Sequence, residues 1–356
     1  MTDSLRLEAT SLLWPEGGLE AVACCPVCGS ELHHLLHTQL TDRVFYCAPG
    51  AWTLFGCAQC GSAYLDPRPT TETIHLAYER YYTHTLPKQV EGTSLHGVSW
   101  VRRALTNGYR NWRFGTTFCP ASVLGVFVTG LMPGKRRVIE REFRHLPRPT
   151  SGARLLDVGF GSGSFLDLAQ AAGWQVSGCD TDSVTVASAS KRGFDVRQGG
   201  IEAFSDMSES FDVITLSHVI EHVHHPREVT QEIYRLLKPG GQVWIETPNS
   251  QSYGHEHFAQ NWRGLEPPRH LVLFSWKALE VMLKKCGFRD VERLPRYDLY
   301  TRLAAKSRAI SSGRDPYEKK QLRQSERIMG YMMNLRARLF PERTEYITLV
   351  ARKPCR

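Results

Sequence analysis

Arg154-Leu-Leu-Asp-Val-Gly-Phe-Gly-Ser-Gly163 decides how this chain folds. Leu155, Leu156 and Val158 surround Asp157 in a short apolar run, the pattern of a parallel strand covered on both faces. Gly159, Gly161 and Gly163 then form a turn. Lacking a Cβ, such a turn lets the backbone pass within van der Waals distance of a ligand. Ser164 and the periodic stretch Phe165 to Ala172 read as a helix, and Gln175 to Cys179 as a second strand ending at Asp180. That carboxylate stands 17 positions beyond Gly163 (180 minus 163). A helix over Val184 to Arg192 and a short strand around Val196 come next, followed by the turn Gly199-Gly-Ile-Glu202. The strand Phe211 to Leu216 leads into Ser217-His-Val-Ile-Glu-His222 and a helix to Leu237. Lys238-Pro-Gly-Gly241 introduces a fifth strand, Gln242 to Thr247, and Tyr346 to Arg352 reads as the last.

The glycine turn resembles motif I of the class I S-adenosylmethionine (SAM) methyltransferases. The run LLKPGGQVWIETPN at 236–249 looks like the core of the same family, and the likeness covers residues 151 to 290. A dinucleotide fold is the competing reading, but its G-x-G-x-x-G fingerprint has another spacing. Here Ser164 takes the place of its third glycine. The resemblance implies an α/β fold: a seven-stranded Rossmann-like class I methyltransferase sheet with a small N-terminal zinc-ribbon module, a helical linker and helical insertions. It implies SAM contacts from Asp157, Gly159, Gly161, Gly163, Asp180, Gly200, Ile201, Ser217 and His218, with Asp180 accepting the ribose hydroxyls. Many relatives place an Asp near the position of Gly200 for the adenine amino group; this chain lacks it, so the adenine contact is expected from backbone.

The chain has 356 residues, a formal charge of +8 and ten cysteines. The positive balance favours anionic partners without choosing among nucleic acid, nucleotide-sugar and membrane surface. No basic-then-apolar leader opens the sequence, and no run reaches the roughly 18 to 20 apolar residues that cross a bilayer. Cysteines without a secretory signal point to a reducing compartment. The reading is cytoplasmic, with a peripheral place on the inner face of a membrane as its variant. The expected layout is an extension at 1–20, a zinc ribbon at 21–70, a basic helical linker at 71–150, and a methyltransferase domain at 151–356 with a helical insertion near 297–343.

Cys25-Pro-Val-Cys28-Gly and Cys57-Ala-Gln-Cys60-Gly are near-identical knuckles with 28 residues between them. Two such turns supply a tetrahedral S4 site with no open position, so Cys25, Cys28, Cys57 and Cys60 are expected to hold a structural zinc ion. Redox-active or merely buried thiols are the alternative. Cys24 and Cys47 are surplus, and His33, His34 or His37 can substitute for a ligand in principle. After the knuckles come Tyr64-Leu-Asp-Pro-Arg-Pro69 and a short helix bearing Tyr78, Tyr81 and Tyr82. The order resembles bacterial methyltransferases of glycan and natural-product clusters, including sugar C-methyltransferases. Those enzymes use a Glu-His pair, matched here by Glu221-His222, and a tyrosine near the substrate, for which Tyr82 is the choice made among the three. Ubiquinone-type O-methyltransferases share the "EH" element, so it does not fix the acceptor atom. Only about 80 residues follow the core, fewer than the sugar enzymes' substrate domain needs.

Residues 101–148 hold ten Arg or Lys against two Glu, a net +8 (10 minus 2) equal to the whole chain's charge. Within them lies the apolar stretch Ala121 to Met132, too short to span a bilayer. One reading packs it as a helix between ribbon and core with arginines on the wet face; another lays it in a membrane interface with arginines on anionic headgroups.

His222 is the expected base, taking the proton of an alcohol acceptor or one beside a carbonyl, while Glu221 orients the ring or stabilises the imidazolium. Neighbouring helical residues differ by about 100° in direction, so the turn must be irregular or the roles divided. A structural pair bracing the cofactor loop is the other reading. Asn261 to Leu271 is expected to close the substrate side, with Trp262, Arg269 and His270 as contacts together with Asn249; a covering loop that fills the core is the alternative. The expected function is methyl transfer to a hydroxyl or activated carbon of a small molecule, sugar or lipid-linked glycan. An rRNA or tRNA methyltransferase stands as the rival, weakened because Ser217-His-Val-Ile220 replaces the motif of base amino methylation. A non-catalytic SAM-binding or partner-binding protein is the third reading. Oligomeric state is open.

Overall fold

The computed structural model describes residues 13–78, 97–318 and 322–355. Thirteen strands are present among them. In chain order they are β1 (Leu19–Glu20), β2 (His33–Leu40), β3 (Trp52–Cys57), β4 (Ala63–Leu65), β5 (Arg68–Pro69), β6 (Arg154–Val158), β7 (Gln175–Asp180), β8 (Asp195–Gln198), β9 (Phe211–Ser217), β10 (Leu237–Pro248), β11 (Val272–Leu273), β12 (Arg289–Arg293) and β13 (Tyr346–Arg352). Seven form one sheet in the order β12-β13-β10-β9-β6-β7-β8. Strand β6 pairs parallel with β7 and β9, β7 with β8 likewise, and β12 runs antiparallel to β13. This is the seven-stranded, mostly parallel α/β sheet expected from the sequence.

The chain divides into two compact units, one of them comprising Tyr82–Leu216, Arg235–Trp244 and Lys353–Arg356. Its helices are α1 (Val98–Phe114), α2 (Leu124–Gly130), α3 (Pro133–Glu142), α4 (Ser164–Ala171) and α5 (Ser183–Lys191). Central β6 buries Leu155, Leu156 and Val158. Phe165 and Ala169 of α4 join Tyr109, Phe114, Ile139, Phe143 and Leu146 in one apolar cluster against Leu155. Phe114 and Phe143 stack with centroids 4.1 Å apart. Helices α1 and α3 of the basic helical segment thus contribute side chains to this core. Helix α5 starts where the Asp182 carboxylate accepts the Val184 N–H at 2.9 Å, an N-cap that satisfies an otherwise orphaned donor.

The other unit comprises Met1–Tyr81, Ser217–Tyr234 and Ile245–Arg352. Here the ribbon strands form a four-stranded sheet, β11-β4-β3-β2, whose outer strand β11 comes from the loop after β10. Val272 faces Tyr64 across an antiparallel register. The ribbon strands thus take a partner strand from a segment about 200 residues further along the chain. A buried ion pair adds to the link: Arg269 donates two hydrogen bonds to Asp42, at 3.0 and 2.6 Å. The Asp42 carboxylate also accepts the N–H groups of Val44, Phe45, Cys47 and Ala48. Burial disfavours the Asp42 charge, but the guanidinium and this nest of amides outweigh it and hold the pKa below the ordinary range.

Candidate active site

Three glycines shape the turn after β6, with φ of 67° at Gly159, 55° at Gly161 and 73° at Gly163. Those left-handed values are open to glycine at little cost and rare for other residues. Asp180, at the tip of β7, fixes the turn by accepting the Gly161 N–H at 2.8 Å, while its second oxygen accepts the Asp182 N–H at 3.0 Å. Burial raises its pKa against those donors. Among the described residues, no atom outside its chain neighbours lies within 4 Å of where a Cβ on Gly161 would stand, so the turn is open on that side. Arg192 braces the other side, pairing with Asp167 and reaching the Ser162 carbonyl at 3.3 Å.

Asp157 behaves differently from the expectation of direct cofactor contact. It is fully buried, pairs with Arg144 and accepts the Thr215 hydroxyl at 2.8 Å. Burial pushes its pKa up and Arg144 opposes the shift. Its Oδ2 nevertheless has no partner among the described residues. The acidic tip of β7 and the open glycine turn beside it fit the ribose and backbone contacts that SAM offers. Gly200 donates its N–H to Glu202 at 2.6 Å, and Ile201 is buried beside it. Glu202 thus sets a carboxylate against the Gly200 backbone.

Beyond β9 the chain makes a single 3-10 turn, Ile220–His222. At 3.0 residues per turn, neighbours point roughly 120° apart, and the two roles divide. Glu221 is buried; it faces His218 Nδ1 at 3.2 Å and accepts the Thr247 hydroxyl at 2.9 Å. His218, expected at the cofactor, instead sits between two carboxylates, with Nε2 3.5 Å from Glu246. Burial alone would lower the His218 pKa, but Glu221 and Glu246 outweigh it and raise the value to about 10. His218 is an imidazolium, and it keeps Glu221 ionised: desolvation would raise that carboxyl, and the His218 hydrogen bond and charge bring it below normal. Its φ of 56° is left-handed. Ser217, the last residue of β9, is half-buried.

His222 points the other way. Its Nδ1 lies 2.9 Å from the Arg269 carbonyl and 2.9 Å from the Tyr78 hydroxyl. A carbonyl only accepts, so Nδ1 carries the proton and Nε2 is left as the basic nitrogen. Of the three tyrosines, Tyr78 meets the histidine; Tyr81 and the chosen Tyr82 lie outside the described residues. The His270 ring stands edge-on to His222 at 4.8 Å. Burial pushes His270 down to about 4, so it is neutral, and its Nδ1 donates to the Gly264 carbonyl at 2.8 Å.

The loop residues expected to touch substrate turn inward. Trp262 is buried and donates its Nε1–H to Glu345 at 2.9 Å. Asn249 is buried and its amide donates to the carbonyls of Glu342 and Thr344. Arg269, fully buried on Asp42, presents no guanidinium to an anion. His270 is buried as well. These four fit the covering-loop alternative, because all are buried within the unit.

The four knuckle cysteines do converge, with ligand atoms within 4.8 Å of one another. Sulfur separations of 3.7 Å (Cys25 to Cys60) and 3.5 Å (Cys28 to Cys57) approach the roughly 3.8 Å edge of a tetrahedron with Zn–S near 2.3 Å. The set fits a structural zinc ion. Cys47 instead faces the Ala77 carbonyl at 3.2 Å, and His37 pairs with His255.

Residues 134–293 match the family described as a methyltransferase domain. With the sheet order and the glycine turn, that match makes the segment 134–293 similar to class I SAM-dependent methyltransferase domains. Within it the chain is 39% identical over 106 residues to the ubiquinone biosynthesis O-methyltransferase of Pseudomonas entomophila, covering 28% of this chain and 46% of that protein. It is 31% identical over 160 residues to the protein of the same name from Brucella anthropi, covering 42% and 64% respectively. The chain thus spans about half to two thirds of the length of the curated relatives it matches. Among solved structures, a SAM-dependent methyltransferase from Archaeoglobus fulgidus is similar at 21% identity and a TM-score of 0.43, over 64% of this chain and 98% of that one.

Proposed function

We propose that the protein is a SAM-dependent methyltransferase that moves a methyl group to a hydroxyl of a small-molecule acceptor, with Nε2 of His222 as the base. The observation that carries this reading is the Arg269 carbonyl on Nδ1, which fixes the ring in the tautomer whose other nitrogen accepts a proton. The similarity over 106 residues to a ubiquinone biosynthesis O-methyltransferase supports a hydroxyl over a carbon acceptor. SAM, when bound, supplies a methyl on a sulfonium sulfur: as the acceptor oxygen bonds to that carbon, the C–S bond breaks and its electron pair stays on sulfur.

The chain's own residues do the rest. Gly161 and Asp180 bind and orient. His222 Nε2 takes the hydroxyl proton as the new O–C bond forms, worth roughly 10² to 10⁴ in rate for a placed base. The imidazolium that results keeps its Nδ1–H on the Arg269 carbonyl and lies beside the ionised Glu221, one of the groups drawn together with His222 and His270. A charged neighbour in a low-dielectric interior stabilises it more than water would. Neutral His270 adds no repulsion. Tyr78 is a positioning residue that limits rotation of the ring.

The test is an acceptor screen with [methyl-13C]SAM, read by carbon NMR. A new O-methyl resonance on a phenolic, sugar or other alcohol acceptor, lost in His222→Gln, is the expected result. A C-methyl resonance, or an O-methyl yield unchanged by His222→Gln, refutes the reading.

A further inference from the structure

Helix α2 faces the opposite way from a core helix. A Cβ on Gly125 would run into the carbonyl of Leu105, and one on Gly108 of α1 into the carbonyl of Ser122. Such backbone contact turns the small residues of α2, Gly125 and Thr129, inward. The large ones face solvent: Val123 is 79% exposed, Leu124 66%, Phe127 67% and Leu131 83%. Four adjacent aliphatic and aromatic side chains left in water on one short hairpin mark a contact surface, not scattered exposure.

Its charge says what the contact is. The segment's two glutamates are engaged inside the unit, Glu142 by Arg110 at 2.5 Å and Glu140 by Arg113 at 2.9 Å. Arg102, Arg103 and Arg136 are exposed and have no carboxylate partner among the described residues. Lys135, where burial and the nearby Arg102 and Arg110 lower the pKa, shows the same excess of positive field. A second copy of the chain would bring these cations onto their own image. Nucleic acid would meet the arginines and leave the leucines and phenylalanine without a counterpart.

We propose that this hairpin seats on a lipid bilayer surface with anionic headgroups. Val123, Leu124, Phe127 and Leu131 enter the acyl boundary, and Arg102, Arg103 and Arg136 meet lipid phosphates. Seven residues of helix reach only about 10 Å, against roughly 30 Å of hydrocarbon, so α2 lies in the interface. No described helix is long and apolar enough to cross.

Flotation of the full chain with phosphatidylcholine vesicles, with and without phosphatidylglycerol, tests this. Binding should require the anionic lipid. Leu124→Ser with Leu131→Ser should cut it at least about tenfold, as should Arg102→Gln with Arg103→Gln, roughly. SAM calorimetry on each variant reports whether the fold is kept, independently of acceptor chemistry. The idea is overturned if folded protein ignores anionic vesicles, if the double serine variant binds like wild type, or if Leu131→Ser splits a dimer that formed without lipid.

Discussion

The phenolic oxygen of Tyr78 lies 2.9 Å from Nδ1 of His222, across 144 positions of sequence. The Arg269 carbonyl holds the same nitrogen, so removing the phenol should loosen the ring without freeing it. Tyr78→Phe is expected to lower kcat about tenfold, the worth of one hydrogen bond, and to leave SAM affinity unchanged. His222→Gln should lower kcat by roughly 10² to 10⁴, again with SAM affinity intact. Steady-state kinetics beside calorimetry checks both, and wild-type kcat in His222→Gln would remove the base from the mechanism.

Asp180 accepts two backbone N–H groups with its two oxygens. Asp180→Asn can accept only one and sets an amide against the other, so the glycine turn loses its fastening as well as its charge. SAM binding should weaken by about 10- to 100-fold, the scale of a lost charge-assisted hydrogen bond. Calorimetry reads this directly, and unchanged affinity would place SAM elsewhere.

Cys28→Ser should abolish stoichiometric zinc and lower thermal stability, because a closed S4 site contributes its binding free energy to folding. Chelation of the wild-type protein should reproduce the loss. Metal analysis and a melting curve on the same sample suffice; a Cys28→Ser protein with full zinc content would contradict the ligand set.

Arg269 serves twice, its side chain on Asp42 and its backbone on His222. Arg269→Met leaves Asp42 buried without its cation and is expected to cost about 3 to 5 kcal/mol. Pairing it with Asp42→Asn should recover part of that, a coupling a double-mutant cycle measures. Urea unfolding of the four proteins gives the answer.

His255 stacks on Trp262 with centroids 5.0 Å apart and meets His37 Nε2 to Nε2 at 2.9 Å. Burial pushes the His255 pKa down to about 4. An unfolded histidine titrates near 6.5, so between those values the unfolded chain binds the extra proton and stability falls as pH drops. From pH 7 to 5 the term is about 2 kcal/mol for each such residue, His270 included. Glu345, raised by burial to about 7, works in the opposite sense, losing stability as pH rises above its unfolded value. His255→Phe isolates the first term: its stability relative to wild type should improve by about 2 kcal/mol on going from pH 7 to 5. A constant difference in urea midpoint would refute the assignment.

The strands around the glycine turn were legible because an apolar run covered on both faces has few other readings; β6 and β7 fall where the sequence places them. Strand β12 carries no apolar signature because all five of its side chains are partly or fully exposed, and β11 is two residues long. For Trp262 and Arg269, residue type tells what a side chain can bind and not which way it faces. Asp42 gave no signal: an acid in a loop pairs with a partner 227 positions away only once the chain has folded. The same holds for Tyr78, one of three tyrosines that sequence alone could not separate.

Strand β11 and Arg269 also set a timetable. Asp42 leaves the ribosome long before the arginine that neutralises it, 227 residues earlier. At about 5 to 20 residues per second, the ribbon waits roughly 10 to 45 s for its fourth strand and its counter-charge. During that interval β4 is an open edge able to pair with another chain. A metal ion taken up early by the two knuckles would hold the nascent ribbon in place while the remainder of its sheet is still being made.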